Sequence, residues 1–266
     1  MCRWMAYQGD PVYLESLLFE PDHSLIHQSL SARKSEVTVN ADGFGLGWYD
    51  EREEPGLYHE ILPAWSDCNL KSLARHIKSG LFFAHVRAST GTATNRSNCH
   101  PFGYKNWLFM HNGQIGDYEA LRWHLDRLIP EYLYNERRGA TDSEVIFLLM
   151  VANGLETDPE NAISKTIEQI LVLMGSKNIT EPFRFTAVLS NGKELFAVRF
   201  SSDEHSPSLY CKAFDKHIVI GSEPLELSGE GWTLIPEGHM ARVASQQYIT
   251  QPLPYFLTEL ASRPQQ

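Results

Sequence analysis

MCRWMAYQGD, residues 1–10, sets a cysteine directly behind the initiator methionine and runs on into the apolar segment Cys2–Tyr7, which reads as a strand. Removal of Met1 would make Cys2 the first residue, with its thiol and the chain's free α-amine on one carbon. A thiol is only a few per cent ionised near neutrality, so it needs a base or a positive neighbour to become a nucleophile. An α-amine has a pKa of about 7.7–8.0 and is roughly a tenth to a fifth neutral at pH 7, which suits it to that task. The plain alternative is a small apolar residue on a first strand. What else the chain carries decides between them.

Outward from that strand, GFGLGWYD at 43–50 reads as a second strand with close backbone packing at its glycines. NLKSLARHIKSG at 69–80 has helical spacing and a glycine stop, LFFAHVR at 81–87 follows as a buried strand, and WLFMHN at 107–112 as another. Helical patterns occupy about 115–128, 142–154 and 159–174, the second opening on Thr141 and Glu144 at capping-box spacing. From 183 the pattern turns to short alternating strands: FRFTAVLS, ELFAVRF, SLYCKAF, HIVIGS, WTLI and HMARV. Strands, then helices, then strands with tight turns predict antiparallel sheets covered by helices, an α+β fold in a single domain over 1–266.

Composition narrows the partners. A formal charge of −10 over 266 residues argues against nucleic acid, whose phosphates call for basic patches. No apolar run reaches the length of a membrane span, and Gln8, Gly9, Asp10 and Pro11 interrupt any signal-peptide pattern at once. Cys2, Cys68, Cys99 and Cys211 are scattered, which fits a reducing cytoplasm better than a disulfide framework. No Cys/His cluster has ligand spacing, so neither a metal nor an organic cofactor is expected.

Three short stretches could complete a site around Cys2. In AHVRASTGTATNRSNCHPF at 84–102, Arg87 ends a buried strand and precedes small hydroxyl residues. A guanidinium there can be an ordinary strand-end arginine or a bidentate carboxylate holder, with Thr90 adding a hydroxyl. His85 reads as a hydrogen-bonded core residue, and Cys99 with His100 as structural. In WLFMHNGQI at 107–115, Asn112–Gly113 is first a turn signal, since both residues tolerate positive φ. It is also a side-chain amide beside an unhindered N–H, the two donors an oxyanion hole requires. In GATDSEV at 139–145, Asp142 is explained by the helix dipole, or by an ammonium group it receives.

Taken in order, Cys2, HVRAST at 85–90, HNGQI at 111–115 and TDSEV at 141–145 resemble the class II glutamine amidotransferases among the N-terminal-nucleophile hydrolases. The MCRW start, SLIHQSLSAR at 24–33, DGFGLGWY at 42–49 and GSEPLE at 221–226 are similar to the stand-alone YafJ-like group, and the likeness runs from Cys2 to about Val243. The resemblance implies a four-layer αββα sandwich of two antiparallel sheets. It implies that Cys2 attacks the side-chain amide of glutamine with its own α-amine as proton shuttle. Asn112 and Gly113 would hold the oxyanion, Arg87 and Thr90 the α-carboxylate, and Asp142 the α-ammonium. The substrate would be glutamine or another γ-glutamyl compound, cleaved through a thioester.

Two departures limit what carries over. Sugar-forming members place tryptophan after the motif arginine and histidine after its threonine, where this chain has Ala88 and Gly91. No synthase domain follows, which leaves room for a separate acceptor or synthase subunit, or for a homodimer. Three readings stay open: an amidotransferase or glutaminase, a hydrolase of a γ-glutamyl peptide or other amide, and a non-catalytic glutamyl-binding module.

Overall fold

The structure, a computed structural model, describes residues 2–34, 39–89 and 93–254. Among these, two antiparallel sheets lie face to face. The first contains β1 (Arg3–Tyr13), β2 (Phe44–Tyr49), β3 (Gly56–Glu60) and β4 (Lys78–Val86). The second contains β5 (Phe102–Tyr104), β6 (Trp107–Gln114), β7 (Arg184–Ser190) and β8 (Leu195–Ser201). Later strands are shared out: β9 (Tyr210–Ala213), β10 (His217–Gly221) and β11 (Thr233–Leu234) join the first sheet, β12 (His239–Ala244) and β13 (Gln247–Pro252) the second. The orders are β11-β9-β10-β1-β4-β2-β3 and β13-β12-β8-β7-β6-β5. Every neighbouring pair is antiparallel.

The apolar pattern of β1 explains the layering. Alternate residues point to opposite faces of a strand, and β1 is apolar on both. Trp4 and Ala6 pack between the sheets with Phe83, Leu108, Met110, Val188 and Ala197. Met5 and Tyr7 pack outward under α1 (Glu15–Leu18), α2 (Leu25–Leu30) and α3 (Cys68–His76). The outer face of the second sheet, with Phe109, Phe185 and Val198, is covered by α4 (Tyr118–Asp126), α5 (Glu131–Tyr134), α6 (Asp142–Ala152) and α7 (Pro159–Ser176). Helix, sheet, sheet, helix is the αββα order that the resemblance implies. Helix α6 is buried continuously from Ser143 to Val151, because it is wedged between the sheet and α7.

Three local expectations are modified. The helix expected over 69–80 ends at His76: Asp67 caps it by accepting from Leu70 N at 2.6 Å, and Ile77 turns extended. Gly80 is therefore no helix stop but part of β4, whose Lys78 and Ser79 pair with Tyr13 and Val12. The Asn112–Gly113 turn does not form; both residues continue β6, opposite Thr186 and Phe185. Thr141 does cap α6 through Glu144 N, but the Glu144 carboxylate turns away to other donors. The expectation of close packing at 43–50 is met at Gly45, where a Cβ would stand 2.1 Å from the His100 carbonyl oxygen. Among the described residues, no helix is long and apolar enough to cross a membrane.

Candidate active site

Cys2 sits at the head of β1, in the centre of the first sheet, with the ends of β4 and β6 beside it. Its sulfur lies 3.5 Å from both the carbonyl oxygen and the amide nitrogen of Ala88, the residue after Arg87. Its own carbonyl accepts from Asn112 Nδ2 at 3.0 Å across the gap between the sheets. Thus two of the stretches singled out from the sequence meet at the cysteine. Burial pushes the Cys2 thiol up, against the pull of the Ala88 N–H and the Arg87 and Arg3 charges. A thiol held in its neutral form needs a proton acceptor before it can attack.

Asn112 is buried, and its amide nitrogen carries two hydrogens, of which Cys2 O takes one. Its neighbour Gly113 has φ +147°, and a Cβ there would come within 1.9 Å of the Arg184 carbonyl. Only glycine suits both constraints. The strand phase explains the placement: Leu108 and Met110 face the other sheet, so Asn112 does too, while Phe109 and His111 face α6.

Arg87 is 3% exposed and threaded through the loop that follows β4. Its guanidinium donates to Asp42 O at 3.3 Å, Ser89 Oγ at 3.1 Å and Ala93 O at 3.5 Å. Asp42 also accepts Ser89 N at 2.7 Å, so the loop is bound to the start of β2. Thr90, expected beside Arg87, lies outside the described residues.

Asp142 opens α6. Its carboxylate accepts Ile115 N at 2.9 Å and Ser143 N at 2.8 Å, joining the helix start to the end of the HNG strand. Next to it, His111 Nε2 donates to the Arg184 carbonyl at 3.2 Å, since a carbonyl can only accept. Nδ1 is therefore the acceptor for the Ser143 hydroxyl at 2.9 Å. Burial pulls His111 down, which keeps that neutral tautomer. Of the sequence candidates, Cys2, Arg87 with Ala88, Asn112, Gly113 and Asp142 converge on one end of the two sheets. Among the described residues, no three His, Cys, Asp or Glu side chains gather as a metal ion would need.

A family model for class-II glutamine amidotransferases matches residues 18–211. The chain belongs to that family. It is 30% identical to the probable glutamine amidotransferase DUG3 of Saccharomyces cerevisiae, over 95% of this chain and 84% of that one. It is 27% identical to the γ-glutamyl-hercynylcysteine sulfoxide hydrolase of Mycolicibacterium smegmatis, over 95% of this chain and all of its relative. The solved glutamine aminotransferase class-II domain protein of Silicibacter pomeroyi superposes with a TM-score of 0.75 at 35% identity, covering 95% of this chain and 99% of that one. The chain is an enzyme of the class-II amidotransferase type, with the fold of the N-terminal-nucleophile hydrolases.

Several supporting residues of this amidotransferase were not singled out as such from the sequence. Glu144 accepts Arg137 Nη1 at 2.5 Å, Arg138 N at 2.9 Å and Gly139 N at 2.8 Å. Arg137 in turn holds Thr141 O and Tyr118 Oη. This buried knot fixes the segment that delivers Asp142. Asn98 bridges Ala140 N and Ala93 O, tying that segment to the Arg87 loop. Arg3 and Glu223 form a second buried pair behind Cys2. The available signal was a charge at the second residue of an apolar strand, which demands a partner. His85, expected to be a hydrogen-bonded core residue, is buried and stacked on His100 at 4.3 Å. Cys99 is buried beneath the Glu60 and Asn95 carbonyls, away from any catalytic histidine pairing.

Proposed function

We propose that this enzyme hydrolyses a γ-glutamyl amide, glutamine or an amine-substituted relative, through a thioester on Cys2. The observation that supports the reading is the Asn112 amide on the Cys2 carbonyl at 3.0 Å, from where its second N–H would serve as an oxyanion donor to a nucleophile that carries its own base. Loss of Met1 exposes that amine. The amine takes the thiol proton, and the sulfur attacks the γ-carbonyl carbon. The second Asn112 N–H and the Gly113 N–H receive the developing oxyanion. The ammonium returns its proton to the leaving nitrogen, ammonia or an amine departs, and water then attacks the thioester to release glutamate.

Recognition follows from charge. Arg87, with Thr90, takes the α-carboxylate and Asp142 the α-ammonium, so a glutamyl head group is read as a zwitterion. Capping either end would remove one of the two charge pairings by which the head group is held. The leaving group is less constrained. The likeness to a relative named as a γ-glutamyl hydrolase supports γ-glutamyl amides beside glutamine itself. Residues 1–266 would act as one unit on a small molecule, in the cytoplasm, where its four free thiols stay reduced.

The test is labelling of untagged protein with a glutamine-mimicking electrophile and mapping of the adduct, beside turnover of glutamine and of γ-glutamyl peptides. One adduct on Cys2, with Met1 absent, and turnover lost in Cys2→Ala are expected. An adduct elsewhere, Met1 retained in active protein, or full turnover by Cys2→Ala would end the reading.

A further inference from the structure

The residue next to Cys2 is arginine, and its side chain is entirely buried. By strand alternation it leaves the sheet on the same face as Met5 and Tyr7, into an apolar layer. There it does two things. Nε turns back and donates to the Cys2 carbonyl at 2.6 Å, and Nη1 donates to Glu223 Oε1 at 3.1 Å. Glu223 is equally buried, and it also accepts His23 Nε2 at 2.8 Å, Arg33 N at 3.0 Å and Lys34 N at 2.7 Å. Its neighbour Ser222 is paired with Trp4 in both directions, N to O at 3.0 Å and Oγ from N at 3.2 Å. The segment after β10 therefore grips β1 at the two residues that follow the cysteine.

A buried ion pair is costly, and apolar residues of the same volume often stabilise a fold as well or better. Its presence behind Cys2 needs another reason. A residue inside a strand is held by both its N–H and its C=O. A nucleophile at a chain end cannot be held that way, because its amine must stay available to carry a proton. The carbonyl is the remaining backbone handle. Here it is clamped from both sides, by Arg3 from the outer face of the first sheet and by Asn112 from the second sheet.

We propose that the Arg3–Glu223 pair is a positioning device for the catalytic cysteine: Glu223 anchors the guanidinium, and Arg3 Nε locks the Cys2 carbonyl, setting the direction of the thiol and amine. This rests on Cys2 being the nucleophile. Glu223, with four separate partners converging on its carboxylate, acts as a fixed counter-charge. Neither residue touches substrate; both act through Cys2. Because a shift of about 1 Å in a reacting group costs on the order of a hundredfold in rate, loss of the clamp should be felt in turnover rather than in binding.

The test compares wild type, Arg3→Lys, and the apolar double variant Arg3→Met/Glu223→Met, which removes both charges of the pair together while freeing His23, Arg33 N and Lys34 N from the carboxylate. Each is measured for kcat and KM on glutamine and a γ-glutamyl peptide, for thermal stability, and for the rate of Cys2 alkylation by iodoacetamide without substrate. A folded double variant whose kcat falls by about tenfold to a hundredfold, with KM within a few-fold and Arg3→Lys between the two, is the expected result. A double variant with wild-type kcat, a loss carried by KM alone, or a loss that vanishes once corrected for unfolded protein overturns the proposal. Wild-type inactivity on both substrates would instead overturn the γ-glutamyl hydrolysis reading. Alkylation then decides the role of Arg3: slower labelling in the double variant supports the clamp, and an unchanged rate refutes it.

Discussion

Truncating Asn112 to alanine separates chemistry from architecture, and the structure sets the size of each effect. Asn112 Nδ2 stands 3.0 Å from the Cys2 carbonyl, and the residue is buried. Removing the amide does not orphan that carbonyl, because Arg3 Nε remains on it at 2.6 Å. The stability loss should therefore be that of one ordinary hydrogen bond, about 0.5–1.5 kcal/mol. In a chain of this size that is a fall in melting temperature of roughly 1–6 °C. The proposed donation to the oxyanion should matter far more: loss of one such group costs about 10²–10³ in kcat, or about 2.7–4 kcal/mol. KM should barely move, since the oxyanion exists only in the transition state. The assay is glutamate release at saturating substrate, paired with a thermal melt and with electrophile labelling of Cys2, which should persist. A kcat within about threefold of wild type would refute the oxyanion role. A collapse in melting temperature much beyond that range would mean that Asn112 serves the fold first.

Three further outcomes follow from particular contacts. Gly113→Ala forces a Cβ to within 1.9 Å of the Arg184 carbonyl at φ +147°, so it should lower stability by several kcal/mol, on the order of other severe core clashes, in urea titration; a neutral result would mean that β6 and β7 part easily there. Glu144→Ala leaves the half-buried Arg137 without its closest anion, and with Asp126 as a second carboxylate at 3.3 Å the cost should be about 3 kcal/mol. KM for the γ-glutamyl substrate should rise with it, as Asp142 loosens; unchanged KM in folded protein would uncouple the knot from the site. Burial, with the Arg87 charge next, pulls His85 down to about 3. Between pH 6.5 and 3 the unfolded chain binds a proton there that the folded chain refuses, so stability falls as pH drops. His85→Leu should flatten that fall by up to about 1.4 kcal/mol per pH unit, read from urea midpoints at pH 7 and pH 5; identical midpoint shifts in both proteins would refute it.

Much of the site was legible because its parts are short and local. Cys2 announces itself by position, and Asn112–Gly113 and Thr141–Asp142 by residue type at fixed spacing. What the local signals misjudged is equally instructive. Asn-Gly favours a turn when only its own backbone is considered, but pairing with Thr186 and Phe185 holds it extended inside the second sheet. Gly80 looked like a helix stop because nothing near it in the chain reveals that Val12 and Tyr13 lie alongside. The partner of Arg3 is 220 residues away.

Apolar period, turn chemistry and ordered motifs determined that this chain would form two antiparallel sheets under helices, with a cysteine at the head of a central strand. These are properties of neighbours along the chain, set by side-chain alternation and backbone preference. Tertiary structure alone decided which carbonyl Asn112 would hold, that Asp142 would bind the end of the HNG strand, and that a glutamate far down the chain would stand behind the neighbour of Cys2. The reason is that strands remote in sequence become adjacent only when two sheets pack face to face. Burial then obliges every charge and amide on that inner surface to find a partner, wherever in the chain the partner lies.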